Sequence, residues 1–268
     1  MTTPLVFDRP YSTSLVEARQ AFLRRLLPDL QQALGLRTAL DAGCGVGYFA
    51  AFLRDMGFQV VAFDARQPNI DEAKSRHPDI SFLVADVEEL HPQELGSFDL
   101  VLCFGLLYHL ENPLRAFRRL RALAGKLLLL ESISVPGEEP LLYLRDEPAL
   151  EDQALHSVAA YASEGALIKM AYRAGFPAVY RLQDLPDHED YRAGLGRTKM
   201  RTVLAAATSP LEHPALLLAP EPAGRSDLWS TDPTGATGMG RRLGRFLRLP
   251  WQQKWANIRR RYLRGGEE

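Results

Sequence analysis

A glycine turn stands directly behind an acid in "ALDAGCGVGYFAAFL", residues 39–53. Gly43, Gly45 and Gly47 have no Cβ, so a ligand can approach the backbone closely at this turn. The helix predicted to follow, over 48–56, would point its free N–H groups at the same ligand. Asp41 would repel a phosphate there and stabilise a positively charged or amine-bearing group. The G-x-G-x-G spacing also departs from the G-x-G-x-x-G fingerprint of dinucleotide-binding proteins.

Two further acids end the next two predicted strands. Asp64 lies 21 residues beyond Gly43, at the position from which a carboxylate can bind both hydroxyls of a ribose. Asp86, in "VADV", could accept a hydrogen bond from an adenine amino group. Together with Asp41, these acids predict an adenosine ligand whose remainder is cationic or amine-bearing. Plainer alternatives stay open: tight packing for the glycines, helix entry for Asp64, and turn capping for Asp86.

The order of elements predicts a doubly wound α/β domain. The runs "RTALDA", "FQVVAFD", "ISFLVAD", "FDLVLCF" and "KLLLLESIS" are continuously apolar and alternate with helical segments. Such runs are buried on both faces, as in a parallel sheet covered by helices. A helix over 163–174 and the strands "AVYRL" and "RTVLAAAT" follow. Near the N-terminus, apolar spacing over 14–34 predicts an amphipathic helix that is broken near Pro28.

Four motifs, taken in order, resemble those of class I S-adenosylmethionine-dependent methyltransferases. They are "LDAGCGVGYFA", Asp64, "ADV" with Asp86, and "FDLVLCFGLLYHLENP", within residues 38 to about 135. The later "SEGALIKMAYRAGFPAVYRL" is similar to the closing helix and hairpin strand of that family. The resemblance implies a Rossmann-like sheet of about seven strands, mostly parallel with a closing antiparallel strand, and helices on both faces. It also implies S-adenosylmethionine as the cofactor.

The resemblance further implies which positions bind that cofactor. Asp41 and the glycine turn would hold the methionine part, and Asp64 the ribose. Asp86 and the backbone of Val87 would bind the adenine, while Phe104 and Gly105 would lie beside the methionine amine. The full set of predicted cofactor-binding residues is Asp41, Gly43, Cys44, Gly45, Gly47, Asp64, Ala65, Asp86, Val87, Phe104 and Gly105.

Tyr108 and His109 are the candidate catalytic residues, because they come just past the predicted cofactor edge in "GLLYHLENP". A hydroxyl acceptor would benefit from a base within hydrogen-bond reach, and a histidine can take up a proton near neutral pH. Packing or loop ordering is the alternative role for His109. His156 and Tyr161 are further candidates for reaching the same pocket.

The same motif resembles enzymes that modify the tRNA wobble uridine with carboxy-S-adenosylmethionine. Those enzymes need basic residues for the extra carboxylate and for the tRNA. The body of this chain is acidic, and no basic cluster surrounds the motif in the sequence. We therefore interpret that kinship as distant.

The formal net charge of −1 conceals an asymmetry. Residues 241–268 contain nine Arg or Lys and two Glu, which makes them +7 and leaves −8 for the rest. Residues 135–162 read as an acidic insertion that caps the substrate site, with six acids and one arginine between positions 135 and 155. Such a cap would repel nucleic acid and favours a small-molecule or glycan acceptor. Alternatively, the acids only solvate an exposed loop.

The sequence predicts three regions: a methyltransferase domain over 1–209, a linker rich in Pro and Gly over 210–240, and a basic amphipathic helix over 241–268. In that helix Trp251, Trp255, Ile258 and Tyr262 would form one apolar stripe with basic flanks. The helix could contact an anionic membrane surface through 241–264, dock on the acidic body or on another subunit, or bind RNA. On the membrane interpretation, the acceptor would be a lipid-linked glycan or another lipid intermediate.

The N-terminus has neither a basic nor an apolar signal region, and no run of about 18 apolar residues could span a membrane. We expect a cytoplasmic protein, or one peripheral at the inner membrane surface. Two cysteines are too few for a disulfide scaffold, and their spacing excludes a Cys zinc site, so we predict no metal. The favoured function is O-methylation. The alternatives are a tRNA-uridine-modifying methyltransferase-like enzyme, a nicotinamide-dependent dehydrogenase and a non-catalytic binding module for S-adenosylmethionine.

Overall fold

The computed structural model describes residues 5–147, 153–155, 157–192 and 200–223. The described strands are β1 (Thr38–Ala42), β2 (Gln59–Asp64), β3 (Ser81–Val84), β4 (Phe98–Phe104), β5 (Ala124–Val135), β6 (Leu142–Asp146), β7 (Val158–Ser163), β8 (Ala178–Leu182), β9 (Met200–Ala207) and β10 (Leu216–Leu218). The described α-helices are α1 (Pro10–Leu34), α2 (Tyr48–Asp55), α3 (Gln67–Arg76), α4 (Pro92–Leu95), α5 (Pro113–Leu123) and α6 (Glu164–Arg173). Short 3-10 turns lie at Val6–Asp8, Leu107–His109 and Glu189–Tyr191.

One sheet organises these elements, in the order β10-β8-β9-β5-β4-β1-β2-β3. From β5 to β3 along this path the strands are parallel, whereas β9 runs antiparallel to β5 and β8, and β10 antiparallel to β8. The predicted fold class, a mostly parallel doubly wound sheet with a closing antiparallel strand, is confirmed. The described residues contain three strands more than the expected seven. Of these, β6 and β7 lie in the predicted insertion, and β10 follows the predicted end of the domain.

Helices cover both faces of the sheet. Alternate residues of β5 show this, because Leu128 and Leu130 pack in a core with Phe117 of α5, and Leu127 and Leu129 pack in another with Phe22 of α1. All four leucines are at most 1% exposed. The continuous apolar runs of the sequence therefore correspond to strands buried on both sides.

The predicted break near Pro28 is wrong, because α1 runs without interruption from Pro10 to Leu34. Leu27 and Leu30, on either side of the proline, are fully buried in the same core. Burial of this apolar stripe outweighs the loss of one backbone hydrogen bond at proline. The helix ends at Gly35, whose φ of 60° is the left-handed conformation that terminates many helices.

The compact unit of the N-terminal part extends to Pro222, past the predicted boundary at 209. β10 pairs with β8 in this extension, and the Tyr172 hydroxyl donates to the Ala219 carbonyl at 2.8 Å. Lys169 Nζ donates to the Pro222 carbonyl, also at 2.8 Å. The start of the predicted linker therefore belongs to this unit, whereas the rest of the linker and the basic helix over 241–268 lie outside the described residues.

The predicted insertion over 135–162 is partly sheet. β6 pairs antiparallel with β7, and β7 returns to lie parallel beside the end of β5, with Ser134 opposite Ala162 and Val135 opposite Ser163. Leu142, Tyr143 and Leu144 of β6 are each at least half exposed. None of the described helices combines the length and apolarity that crossing a membrane requires.

Candidate functional site

A cavity of about 230 Å³ lies at the carboxyl ends of β1, β2, β3 and β4. In doubly wound folds this edge of the sheet is where ligands bind. Nine of the predicted cofactor-binding residues line the cavity: Gly43, Cys44, Gly45, Asp64, Ala65, Asp86, Val87, Phe104 and Gly105. Both candidate catalytic residues, Tyr108 and His109, line it as well, whereas Asp41 and Gly47 do not line it.

The glycine turn is held by β2 and by packing. The N–H groups of Gly43 and Cys44 both donate to the Phe63 carbonyl at 2.9 Å. Gly45 has a φ of 53°, and a Cβ there would come within 2.7 Å of the Phe7 ring. Gly47, with a φ of 90°, precedes α2, and a Cβ there would meet Phe82 at 3.0 Å. Close packing, one of the alternatives considered for the glycines, is therefore present in this turn. The contacts of the glycines with the cofactor stay predictions.

Asp41 is a buried carboxyl group behind this turn. The residue is 2% exposed, and its Oδ2 has no hydrogen-bond partner within the part of the chain that the structure describes. Burial and the nearby charge of Asp64 raise the Asp41 pKa to about 7, although the Ala50 backbone N–H opposes the shift. An unsatisfied buried carboxyl group is costly unless a ligand compensates it. Asp41 therefore fits a cationic ligand near the turn.

Asp64 links the glycine turn to the start of α3. Its Oδ2 accepts from the Gly45 N–H at 3.0 Å, and its Oδ1 accepts from the Arg66 N–H at 2.9 Å and from Asn69 Nδ2 at 3.0 Å. Asp86 Oδ1 accepts from the Glu88 N–H at 2.8 Å. Asp64 thus binds groups at the start of a helix, and Asp86 caps a turn, as the plainer alternatives predicted. Both residues nevertheless line the cavity. The contacts of these acids with ribose and adenine stay predictions.

Two buried arginines beside the cavity were missed by sequence reasoning. Arg19 of α1 and Arg201 of β9 are 6% and 7% exposed, and both donate to Glu131 of β5, which is fully buried. The Arg201 guanidinium also donates to Asp190 at 2.8 Å and lies 5.6 Å from the centre of the Tyr108 ring. Two buried arginines, paired with Glu131 and Asp190, therefore lie beside the "GLLYHLENP" motif, which the sequence interpretation did not anticipate. Single arginines far apart in the chain gave no signal of this arrangement.

His109 lies against an acid of the predicted insertion. Its Nδ1 is 2.9 Å from Oε1 and 3.0 Å from Oε2 of Glu147. The His109 ring also packs on Tyr108, with ring centres 4.2 Å apart. Tyr161, a further candidate, packs against Tyr108, with ring centres 6.1 Å apart. His156 lies outside the described residues. Sequence reasoning counted Glu147 only as part of the acidic charge.

The comparisons with known proteins can be set beside this geometry. Residues 40–125 match a family model described as "Methyltransferase domain". The chain carries a class I methyltransferase domain. The predicted family is thus confirmed, and with it the methyl donor of the family, S-adenosylmethionine. The matched stretch of the methyltransferase domain contains every predicted site residue. No group of three or more metal-binding side chains occurs within the described ranges.

Curated relatives match only part of this chain. The tRNA U34 carboxymethyltransferase of Trichlorobacter lovleyi is 32% identical over 128 residues, which are 45% of this chain and 39% of the relative. The ubiquinone biosynthesis O-methyltransferase of Rickettsia canadensis is 40% identical over 77 residues, which are 27% of this chain and 32% of the relative. The chain therefore spans less than half the length of these relatives.

A solved structure supports the fold of the methyltransferase domain. The N-terminal domain of EvdMO1, described with SAH bound, superposes with a TM-score of 0.57 at 22% identity. The alignment covers 67% of this chain and 78% of that one. At this level of identity the likeness concerns the fold alone.

Proposed function

We propose that the protein is an S-adenosylmethionine-dependent methyltransferase that methylates an oxygen of a small-molecule or glycan acceptor. The observation that carries this proposal is the buried, unpartnered oxygen of Asp41 behind a glycine turn that opens on a cavity. A sulfonium and an ammonium group would stabilise the charged form of that carboxylate. When bound, the donor supplies an electrophilic methyl group.

The cavity residues would divide the work between donor and acceptor. Asp64 and Asp86 would hold the adenosine half, and Gly105 leaves the backbone open on the side of Tyr108 and Arg19. Tyr108 and His109 line the cavity beyond Gly105, where the acceptor would bind. In such a reaction the protein mainly aligns the two reactants and excludes water.

Two observations support an oxygen acceptor that is not a nucleic acid. The Nε2 atom of His109 has no hydrogen-bond partner among the described residues, so it is free to take a proton from a hydroxyl. Two acids of the insertion, Glu139 and Asp146, are exposed and would repel a polyanion. The Rickettsia relative is named as an O-methyltransferase, which agrees with this class of acceptor.

Replacing Asp64 with Asn tests the cofactor site. The change keeps the side-chain size and removes the charge, so we expect S-adenosylhomocysteine to bind more weakly by about 1.5–3 kcal/mol in isothermal titration calorimetry. Asp71→Asn, on the exposed side of α3, is the matched control and should bind like the unchanged protein. Equal affinity in Asp64→Asn would contradict the role of this residue. Binding of NAD without any response to S-adenosylhomocysteine would refute the proposal itself.

A second candidate, carboxymethyl transfer to tRNA, is favoured by the two buried arginines. Arg19 and Arg201 both line the cavity, so their guanidinium groups could donate to a ligand carboxylate there. The Trichlorobacter relative is named as a tRNA U34 carboxymethyltransferase, which agrees with such a reaction. Competition between S-adenosylmethionine and carboxy-S-adenosylmethionine tests it. Clear preference for the carboxylated donor, with transfer to tRNA, would replace methylation as the proposed activity.

A further inference from the structure

Glu147 is a buried acid at the end of an exposed strand. Its side chain is 4% exposed, although the preceding residues of β6 are largely in solvent. Besides the His109 ring, the backbone N–H groups of Ala154 and Gln153 donate to it at 2.8 Å and 3.3 Å. Burial disfavours its charge, but these donors outweigh burial and hold the Glu147 pKa below its usual value. A negative charge is therefore fixed against the His109 ring.

The contact fixes which nitrogen of His109 carries the proton. A carboxylate beside Nδ1 favours the tautomer with hydrogen on Nδ1, and this leaves a free electron pair on Nε2. The Tyr108 ring packs against one side of the imidazole and restricts its rotation. The backbone holds the same residue, since the His109 N–H donates to the Leu106 carbonyl at 3.0 Å in the turn after β4.

We infer that Glu147 is a positioning residue that orients His109 and fixes its tautomer, so that Nε2 takes the proton of the acceptor hydroxyl. The inference rests on the proposed function. As the acceptor oxygen bonds to the methyl carbon, its proton passes to Nε2. The electron pair of the broken C–S bond stays on the sulfur of the donor. His109 becomes an imidazolium ion, which the Glu147 carboxylate stabilises.

Other polar and charged groups lie in this part of the cavity. The Arg201 guanidinium lies over the Tyr108 ring and is paired with Glu131 and Asp190. Tyr161 packs edge-on against Tyr108, and Glu111 lines the cavity after the turn. Among the described side chains, only Glu147 is hydrogen-bonded to the imidazole of His109.

Nitrogen NMR of histidine-labelled protein tests the orientation without any need for activity. The signals of His109 are assigned by their loss in His109→Gln. We expect a proton on Nδ1 rather than on Nε2 in the unchanged protein, and loss of that preference in Glu147→Ala. Asp146→Asn is the control, because it removes an equal charge from the exposed residue directly before Glu147. This variant should leave the spectrum unchanged. If Glu147→Ala keeps the Nδ1 proton, the inference is overturned.

The rate of labelled methyl transfer to the small molecules of a cell extract tests the consequence. Loss of the base in His109→Ala should slow transfer by about 10²–10⁴-fold, and Glu147→Ala by about tenfold or more. Added formate should restore Glu147→Ala but not His109→Ala. An unchanged rate in Glu147→Ala, or a slow rate that formate leaves slow, would overturn the positioning role. If the unchanged protein transfers no methyl group at all, the proposed function fails, while NMR still decides what Glu147 does to His109.

Discussion

Asp41 couples the stability of the fold to pH. Its pKa is raised from the usual 3.8 to about 7, so the folded protein binds this proton more tightly than the unfolded chain does. A raised carboxyl pKa means that stability falls as pH rises through the interval between the two values. Without ligand, ionised Asp41 therefore destabilises the fold above about pH 7. The same ionised group is the one that would attract a cationic donor.

Asp41→Asn should remove this contribution to the pH dependence. The variant cannot ionise at this position. The difference between its free energy of unfolding and that of the unchanged protein should therefore shift by about 2–3 kcal/mol in favour of the variant between pH 5 and pH 8. Urea unfolding without ligand at the two pH values measures the difference. At pH 8, the variant should also bind S-adenosylmethionine more weakly. A difference in stability that does not change with pH would show that Asp41 does not titrate in this range.

Residues at strand ends were predictable, and residues that meet only in space were not. Asp64 and Asp86 follow recognisable apolar runs, so the sequence placed both at the edge where the cavity lies. Arg19, Arg201 and Glu147 are single charged residues that the fold brings to the same site from distant elements. Their pairing depends on how α1, β9 and β6 are arranged, and no local pattern in the sequence encodes that arrangement.

At the scale of elements, the buried cluster of Arg19, Glu131 and Arg201 joins α1, β5 and β9. Burial is the largest single influence on both guanidinium groups and lowers their pKa, but the charge of Glu131, together with the neighbouring tyrosines and Asp190, outweighs it, so that the pKa of each arginine is raised. Removing the shared acid would leave two buried cations side by side. The cluster thus ties the first helix to the centre and to the antiparallel part of the sheet.

Glu131→Gln should therefore destabilise the protein strongly, by about 3–5 kcal/mol in urea unfolding. The matched control is Glu89→Gln, because Glu89 pairs with Arg115 while both side chains are at least half exposed. That change should cost no more than about 1 kcal/mol. Similar losses in the two variants would mean that the buried cluster contributes no more than an exposed ion pair.

The predictability of the elements depended on their burial. The apolar runs of β1 to β5 could be recognised because both faces of these strands are covered. β6 has exposed leucines, so its sequence lacks the alternation that marks a half-buried strand. The course of α1 through Pro28 was also not predictable, because packing against the sheet decided it.

For the molecule as a whole, the stretch after β9 decides where the folded unit ends. Besides the pairing of β10 with β8, Glu221 Oε1 lies 2.8 Å from Arg173 Nε. Each of the described residues that line the cavity lies between positions 6 and 201. Cavity and closing strand are therefore contained in the unit that runs to Pro222.

Two truncated chains test this boundary. A chain ending at Pro222 should unfold cooperatively and bind S-adenosylhomocysteine with the affinity of the full chain. A chain ending at position 209 lacks β10 and the contacts to Tyr172 and Arg173, so its urea midpoint should be lower. Equal midpoints for the two chains would show that residues 210–222 add no stability. Loss of binding in the longer chain would mean that the site needs residues beyond it.

The junction between β5 and β7 has a consequence for protein engineering. Val135 and Ser163 lie opposite each other on neighbouring parallel strands, so the segment between them starts and finishes at adjacent points of the sheet. That segment carries Glu147 as well as two residues of the cavity wall, Gln153 and Leu155. These two points are therefore suitable ends for exchanging the segment between related proteins. Such an exchange would replace the partner of His109 together with two residues of the cavity wall, and on the proposed function it should change the choice of acceptor.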